Sequence, residues 1–191
     1  MRIIAGEMRS RRLKAPVGMD TRPTADRVKE ALFSILAGRV YGARVLDLYA
    51  GSGALALEAL SRGAKSAALA DCGRDACRVI QENIDALGCG DRAALLRMKD
   101  AAALSALQKQ NARFDLIFLD PPYRMDTAPV CALILEAGLL APDGVIVIEH
   151  SRDTQPGIAP PLLLRDRREY GAAGLSFYTL ERPEERKESA E

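Results

Sequence analysis

The sequence predicts an α/β protein organised on a doubly wound, mostly parallel sheet. Three observations predict it. From Arg44 onward, short apolar runs alternate with longer amphipathic stretches, the pattern of repeated βαβ units. A glycine loop, Gly51-Ser52-Gly53, follows the first apolar run directly. A second abrupt ending, Asp120-Pro121-Pro122-Tyr123, follows the fourth. Ligands of open α/β sheets bind outside the carboxyl ends of the strands, so both endings fall on the edge where chemistry is expected.

Taken in order, Met1 to Pro16 reads as two short strand-like pieces around a turn near Gly6 to Ser10, a small hairpin. Thr24 is a good N-cap for the helix that follows, with Asp26 in its first turn. Val28, Ala31, Leu32, Ile35 and Leu36 make one apolar stripe, and Gly38 supplies a stop. The predicted strands are Arg44–Leu48, Ser66–Ala70, Ala93–Met98, Phe114–Leu119 and Gly144–Glu149. Between them the helices are Ala54–Arg62, Arg74–Leu87, Ala101–Gln110 and Thr127–Ala137. Pro142-Asp143-Gly144 reads as a turn into the fifth strand. Leu162–Tyr170 and Leu175–Leu180 flank Gly171-Ala172-Ala173-Gly174, an antiparallel hairpin that closes one sheet edge. The charged tail, 183–191, lacks apolar anchors and is expected to fray.

A length of 191 residues fits one domain with a small appendage, and 48% hydrophobic with 28% charged residues is ordinary for a soluble globular chain. The first dozen residues carry four arginines in place of an apolar leader, and no apolar run is long enough to cross a membrane, so a cytoplasmic protein is expected. Cys72, Cys77, Cys89 and Cys131 match no zinc spacing, and His150 is the only histidine, so no metal site is expected and the thiols read as reduced. Net charge is +1 but unevenly spread. Residues 1 to 29 hold Arg2, Arg9, Arg11, Arg12, Lys14, Arg22, Arg27 and Lys29 against Glu7, Asp20 and Asp26, a candidate polyanion footprint. A solvated charged face is the plainer explanation of such a run.

The chemistry of Asp120-Pro121-Pro122-Tyr123 can be read from its groups. Proline ends the strand and stiffens the backbone after it. The Asp120 carboxylate and the Pro121 carbonyl are two fixed acceptors, and the Tyr123 ring can lie flat on a planar partner. Together they suit an exocyclic amino group of a nucleobase, a weak nucleophile that positioning can direct onto an activated methyl group. On these residues alone, a proline-terminated strand whose aspartate caps the next helix is an equal alternative. In the first unit, Gly51 and Gly53 allow a tight turn and close backbone approach. Asp71, twenty residues after Gly51, is placed for ribose hydroxyls. Asp47, just before the loop, would face a cation and would sit poorly beside a pyrophosphate. That favours S-adenosylmethionine, with its ammonium and sulfonium, over a dinucleotide. Asp100 is placed to accept from an adenine amino group.

These residues resemble the class I S-adenosylmethionine-dependent methyltransferases and, in detail, the RsmD family of bacterial 16S ribosomal RNA guanine-N2 methyltransferases. The similarity is carried by Arg2-Ile3-Ile4-Ala5-Gly6, by Thr21-Arg22-Pro23-Thr24-Ala25-Asp26-Arg27 with Glu30-Ala31-Leu32-Phe33, and by Asp47-Leu48-Tyr49-Ala50-Gly51-Ser52-Gly53. Glu58-Ala59-Leu60-Ser61-Arg62-Gly63-Ala64 and Asp120-Pro121-Pro122-Tyr123 complete it. The resemblance implies a Rossmann-like fold with a seven-stranded, mostly parallel sheet and helices on both faces. It implies a basic N-terminal extension, residues 1–22, a methyltransferase domain over 23–182, and the tail 183–191. The cofactor would lie against Asp47, Tyr49, Ala50, Gly51, Ser52, Gly53, Asp71, Cys72, Asp100 and Ala101. The target base would meet Asp120, Pro121, Pro122 and Tyr123. Arg2, Arg9, Arg11, Arg12, Lys14, Arg22 and Arg27 would grip RNA phosphates. The implied partner is 16S rRNA or the assembling 30S subunit, with the protein a monomer. The family more usually has glutamate where this chain has Asp71. The alternatives are an amino-methyltransferase acting on DNA adenine or a protein glutamine, and a silent scaffold that binds nucleic acid. A nicotinamide-dependent oxidoreductase ranks last.

Overall fold

The computed structural model describes residues 1–16, 23–122 and 125–181. Seven strands form one sheet: Arg44–Leu48 (β1), Ser66–Asp71 (β2), Ala93–Arg97 (β3), Phe114–Leu119 (β4), Leu140–Ser151 (β5), Leu162–Tyr170 (β6) and Ala173–Leu180 (β7). Their order is β3-β2-β1-β4-β5-β7-β6. The first five strands are parallel, while β7 runs antiparallel between β5 and the edge strand β6. The predicted hairpin therefore closes the sheet, with its second strand inserted inside its first. The helices are Pro23–Ile35 (α1), Ala37–Val40 (α2), Ala54–Ser61 (α3), Arg74–Leu87 (α4), Asp100–Lys109 (α5) and Ala128–Glu136 (α6).

The period-two alternation of side chains sorts the core into two layers. Val45, Leu69, Leu116, Phe118, Val145 and Val147 face one way and pack with Leu32 and Phe33 of α1, Leu57 and Leu60 of α3, and Ile80 and Ile84 of α4. Leu46, Leu48, Ile117, Leu119, Ile146 and Ile148 face the other way, onto Leu104 of α5 and Val130 and Ile134 of α6. This alternation also decides where the strand-end carboxylates go. Asp47 on β1 and Asp71 on β2 share the parity of Val45 and Leu69. Asp120 continues that of Phe118, and Glu149 on β5 continues that of Val147. All four belong to the face that carries α1, α3 and α4.

The N-terminal segment is packed into the same layer, with Ile3, Met8 and Leu13 buried in that core. It closes as a minimal hairpin: an antiparallel bridge joins Arg2 and Arg12, and Ile3 N–H donates to the Arg11 carbonyl at 2.9 Å. Its dock is the buried Glu58 of α3. The Glu58 carboxylate accepts from Ile4 N–H at 2.7 Å, Ala5 N–H at 3.0 Å and Arg62 Nε at 2.8 Å, with Lys29 Nζ of α1 at 3.5 Å.

Several boundaries differ from the sequence reading. α1 begins at Pro23, so Thr24 lies inside the first turn instead of capping it. Proline at a first helical position leaves no unmet donor, which explains the earlier start. α1 ends at Ile35, and Gly38 falls within α2 instead of stopping α1. Pro142-Asp143-Gly144 is not a turn before β5 but part of it. A register shift between Phe114 and Leu116 on β4 absorbs the irregular stretch, since Phe114 pairs with Leu140 whereas Leu116 pairs with Val145. The tail 183–191 lies outside the described residues.

Candidate active site

The two strand endings singled out in the sequence emerge side by side. β1 and β4 are parallel neighbours with Leu48 paired to Leu119, so the residues that follow, from Tyr49 and from Asp120, leave the sheet together at its carboxyl edge. On the far side of β4, Leu119 pairs with Ile148 of β5, which brings Glu149 level with Asp120.

The glycine loop is held from three directions. Asp71 Oδ2, at the end of β2, accepts from Gly51 N–H at 2.9 Å, while its Oδ1 accepts from Gly73 N–H at 2.8 Å. Asn83 of α4 is buried and donates to the Ser52 carbonyl at 2.9 Å. Asp47 Oδ2 accepts from Ala56 N–H at 3.1 Å and so fixes the first turn of α3. Gly53 has φ +77°, and a Cβ there would come within 2.8 Å of Leu69 Cδ2, so the loop needs glycine for conformation and for space. Tyr49 also takes a positive φ, 64°, which aims its hydroxyl at Asp100 Oδ2, 2.6 Å away. Burial and this acceptor push the Tyr49 phenol well above its ordinary range, so it stays a neutral donor.

The second ending opens on a cleft of about 470 Å³. Its walls include Pro121 and Pro122 from the β4 tip, Thr127 before α6, Glu149 and His150 on β5, and Pro156 and Gly157 from the loop after β5. Asp120 immediately precedes Pro121 and stands between Asp47 and Glu149 in strand order. His150 is committed: its Nδ1 donates to the Ser151 carbonyl at 2.8 Å, and its Nε2 accepts from the Ser176 hydroxyl at 2.8 Å. That tautomer leaves no free imidazole nitrogen to act as a base.

The electrostatics of this edge are one-sided. Burial raises the Asp47 carboxyl to about 7, with Asp120 and Asp71 adding to the rise. Burial also raises Asp120, and burial together with the Asp120 charge raises Glu149. Among the described residues, none of Asp47, Asp71, Asp120 and Glu149 has a Lys or Arg within ion-pair distance. Carboxylates held together without a cation cost stability unless a cationic ligand or hydrogen-bond donors meet them. A pyrophosphate would worsen the repulsion, whereas an ammonium and a sulfonium relieve it. This set of acceptors therefore fits S-adenosylmethionine.

The family model described as Conserved hypothetical protein 95 matches residues 1–179. Ribosomal RNA small subunit methyltransferase D of Escherichia coli K12 is 38% identical over 150 residues, covering 78% of this chain and 74% of that protein. The Haemophilus influenzae protein of the same name is 36% identical over 162 residues, covering 84% and 83%. The chain belongs to the RsmD family. A solved structure of a hypothetical protein from Thermus thermophilus superposes on this RsmD-family chain with a TM-score of 0.80 at 34% identity, covering 94% of this chain and 99% of that one. A solved structure of a putative methyltransferase from Escherichia coli superposes equally well, with a TM-score of 0.80 at 33% identity, covering 95% of this chain and 98% of that one, so the seven-stranded sheet is the Rossmann-like fold of the class I methyltransferases.

Set against the expected site residues of the RsmD family, the geometry gathers Asp47, Tyr49, Ala50, Gly51, Ser52, Gly53 and Asp71 at one loop. Asp100 and Ala101 stand at the start of α5, joined to that loop through Tyr49. Cys72 follows Asp71 and is exposed. Asp120, Pro121 and Pro122 stand at the neighbouring tip, while Tyr123 and Arg22 lie outside the described residues. The basic residues are not equivalent. Arg2 pairs with Asp26 at 3.8 Å, Lys14 pairs with Glu82 at 2.8 Å, and Arg11 donates to the Ala86 carbonyl. Arg9, Arg12 and Arg27 are exposed.

Three residues have no role in the sequence reading, although Glu58 lies in one of the stretches that carry the resemblance. Asn83 and Glu58 each interrupt an apolar helical stripe, and a polar residue in a buried stripe was the available signal. Glu149 ends the apolar run Val145-Ile146-Val147-Ile148 with a carboxylate, as Asp71 and Asp120 end theirs.

Proposed function

We propose that this chain transfers a methyl group from S-adenosylmethionine to the exocyclic N2 of a guanine in 16S rRNA, with the assembling small ribosomal subunit as its partner. The observation that carries this reading is the pairing of Leu48 with Leu119, which sets the pinned glycine loop beside the Asp120-Pro121-Pro122 tip, at an acidic edge whose carboxylates have no Lys or Arg paired to them among the described residues. The naming of the Escherichia coli and Haemophilus influenzae relatives as ribosomal RNA small subunit methyltransferases supports the substrate class.

In this reading Asp71 holds the ribose hydroxyls, Gly51 and Gly53 admit the cofactor against bare backbone, Asp47 faces its ammonium, and Asp100 takes the adenine amine. S-adenosylmethionine supplies, when bound, a methyl group on a sulfonium that leaves as a neutral thioether. The Asp120 carboxylate and the Pro121 carbonyl accept the two amine hydrogens of the extruded guanine, which aims the nitrogen lone pair outward. Tyr123 stacks on the base. With the cofactor bound, these two acceptors would hold the amine nitrogen toward the methyl group it supplies, and the surplus amine proton would pass to solvent by way of the Asp120 carboxylate that already accepts from that amine. With His150 committed elsewhere, no strong general base takes part. Residues 1–22 supply the RNA grip through Arg9, Arg12 and Arg22, joined by Arg27 of α1, with Arg2, Arg11 and Lys14 shared between RNA and the body of the protein.

Asp120→Ala tests the assignment. Turnover on unmethylated small subunits should fall by at least ~10³-fold, since both positioning and electrostatic stabilisation are lost. Cofactor affinity, measured by calorimetric titration, should stay within a few-fold of wild type. Full turnover in that variant would contradict the role given to the tip.

A further inference from the structure

We infer that Glu149 reads the Watson–Crick edge of the target base and makes the cleft select guanine over adenine and cytosine. This rests on the guanine-N2 reading and adds a residue to it.

The placement comes from the sheet. β5 runs two residues beyond Glu149, to Ser151, and β7 backs it there, with Glu149 paired to Leu175 and His150 to Gly174. The carboxylate thus stands on a rigid strand end, level with Asp120 and lining the cleft alongside Pro121 and Pro122. Among the described residues no side chain donates to it or pairs with it, and the charge of Asp120 opposes its ionisation. Glu149 is half-buried and its oxygens stay open to the cleft, so a base seated there would bury the carboxylate, a cost that is met only if the base brings N–H groups.

Guanine brings them in the right order. Its Watson–Crick edge presents an amine with two hydrogens and, next to it, the N1–H donor. Once Asp120 and the Pro121 carbonyl take the amine hydrogens, the adjacent acceptor on the wall meets N1–H, and that donor favours the ionised carboxylate over the protonated form that burial and the Asp120 charge otherwise favour. Adenine and cytosine place a ring-nitrogen lone pair beside their amine, and that lone pair faces Glu149 with repulsion. Three acceptors set against three donors thus distinguish guanine, whereas Asp120 and Pro121 alone would accept any amino base. A site built to accept a substrate N–H rejects analogues that lack it far more strongly than an apolar wall can.

The test uses the full-length enzyme, unmethylated small subunits and S-adenosylmethionine, with Glu149→Gln and Glu149→Ala. Glutamine keeps an acceptor and drops the charge, while alanine drops both. Loss of a hydrogen bond to a charged acceptor predicts a fall in kcat/KM of about 10-fold for Glu149→Gln and about 100-fold for Glu149→Ala. Cofactor affinity should stay within twofold, and neither variant should melt below wild type, a combination that a merely structural role would not produce. If both variants keep wild-type kcat/KM while nucleoside analysis finds N2-methylguanosine, Glu149 does not read the base and the parent reading survives. If the wild-type product is a different methylated nucleoside, the guanine reading falls and takes this one with it.

Discussion

Asp47 carries two demands at once. Its Oδ2 anchors Ala56 N–H and hence α3, yet it is fully buried, with the charges of Asp71 and Asp120 opposing its ionisation. Its carboxyl is held at about 7, against about 3.9 for an aspartate in an unfolded chain. Below pH 4 the group is protonated in both states and carries no penalty. Between pH 4 and 7 the folded chain binds a proton that the unfolded chain does not, so stability falls as pH rises through that window and levels off above it. Replacing Asp47 by asparagine keeps an acceptor for Ala56 and removes the ionisation. Urea unfolding of cofactor-free protein at pH 5 and pH 8 should show wild type losing about 2–4 kcal/mol relative to Asp47→Asn across the interval. Asp120 and Glu149 titrate in both proteins, so the difference between the two isolates Asp47. An identical pH dependence would mean that the carboxylate is compensated by something the fold provides.

At the scale of elements, β1, β4, β6 and α4 were legible to the residue, because each is a short apolar run or a regular stripe bounded by its own punctuation. What the sequence hid depends on distant partners. Pro142-Asp143-Gly144 has the composition of a turn, and only pairing with β4 around a register shift makes it strand. Glu58 looks like an ordinary helix acid, but its partners Ile4 and Ala5 lie more than fifty positions away. Asp47, Asp71 and Asp120 could be read as ligand-facing because each accompanies a motif, the glycine loop, its twenty-residue spacing or the two prolines, whereas Glu149 shares their parity but has no motif beside it. Docking of the N-terminal segment rests on one glycine as well. Gly6 has φ +86°, and a Cβ there would lie 1.8 Å from the Ser61 carbonyl oxygen. Backbone cannot rotate away from that overlap, so Gly6→Ala should undock the segment from α3 and lower stability by roughly 2–3 kcal/mol. Limited trypsin digestion should then cleave after Arg9, Arg11 or Arg12 many times faster than in wild type. Equal cleavage rates would show that the segment holds without this contact.

Across the whole molecule the net charge of +1 hides a separation of sign: acids gather at the carboxyl edge of the sheet, and arginines along the N-terminal segment. The two regions are mechanically joined. Asn83 donates to both the Ser52 carbonyl of the glycine loop and the Lys14 carbonyl, so one side chain ties the basic segment to the cofactor loop. Phosphates held by that segment would therefore be fixed in distance from the cleft, which a flexible arm could not achieve. The arginines should also divide by role. Among the described residues Arg9 and Arg12 have no ion pair, so each can release a counterion's worth of binding, whereas Arg11 and Lys14 are already spent on α4. In salt titrations of binding to 16S RNA, Arg9→Ala with Arg12→Ala should reduce the slope of log affinity against log salt by about 1.4–1.8, close to two phosphate contacts. The pair Arg11→Ala with Lys14→Ala should change the slope by less than half of that while lowering the melting temperature. A slope unchanged by the first pair would move the RNA footprint off this segment; equal slopes for the two pairs would show that the Lys14–Glu82 ion pair and the Arg11–Ala86 hydrogen bond open when RNA binds.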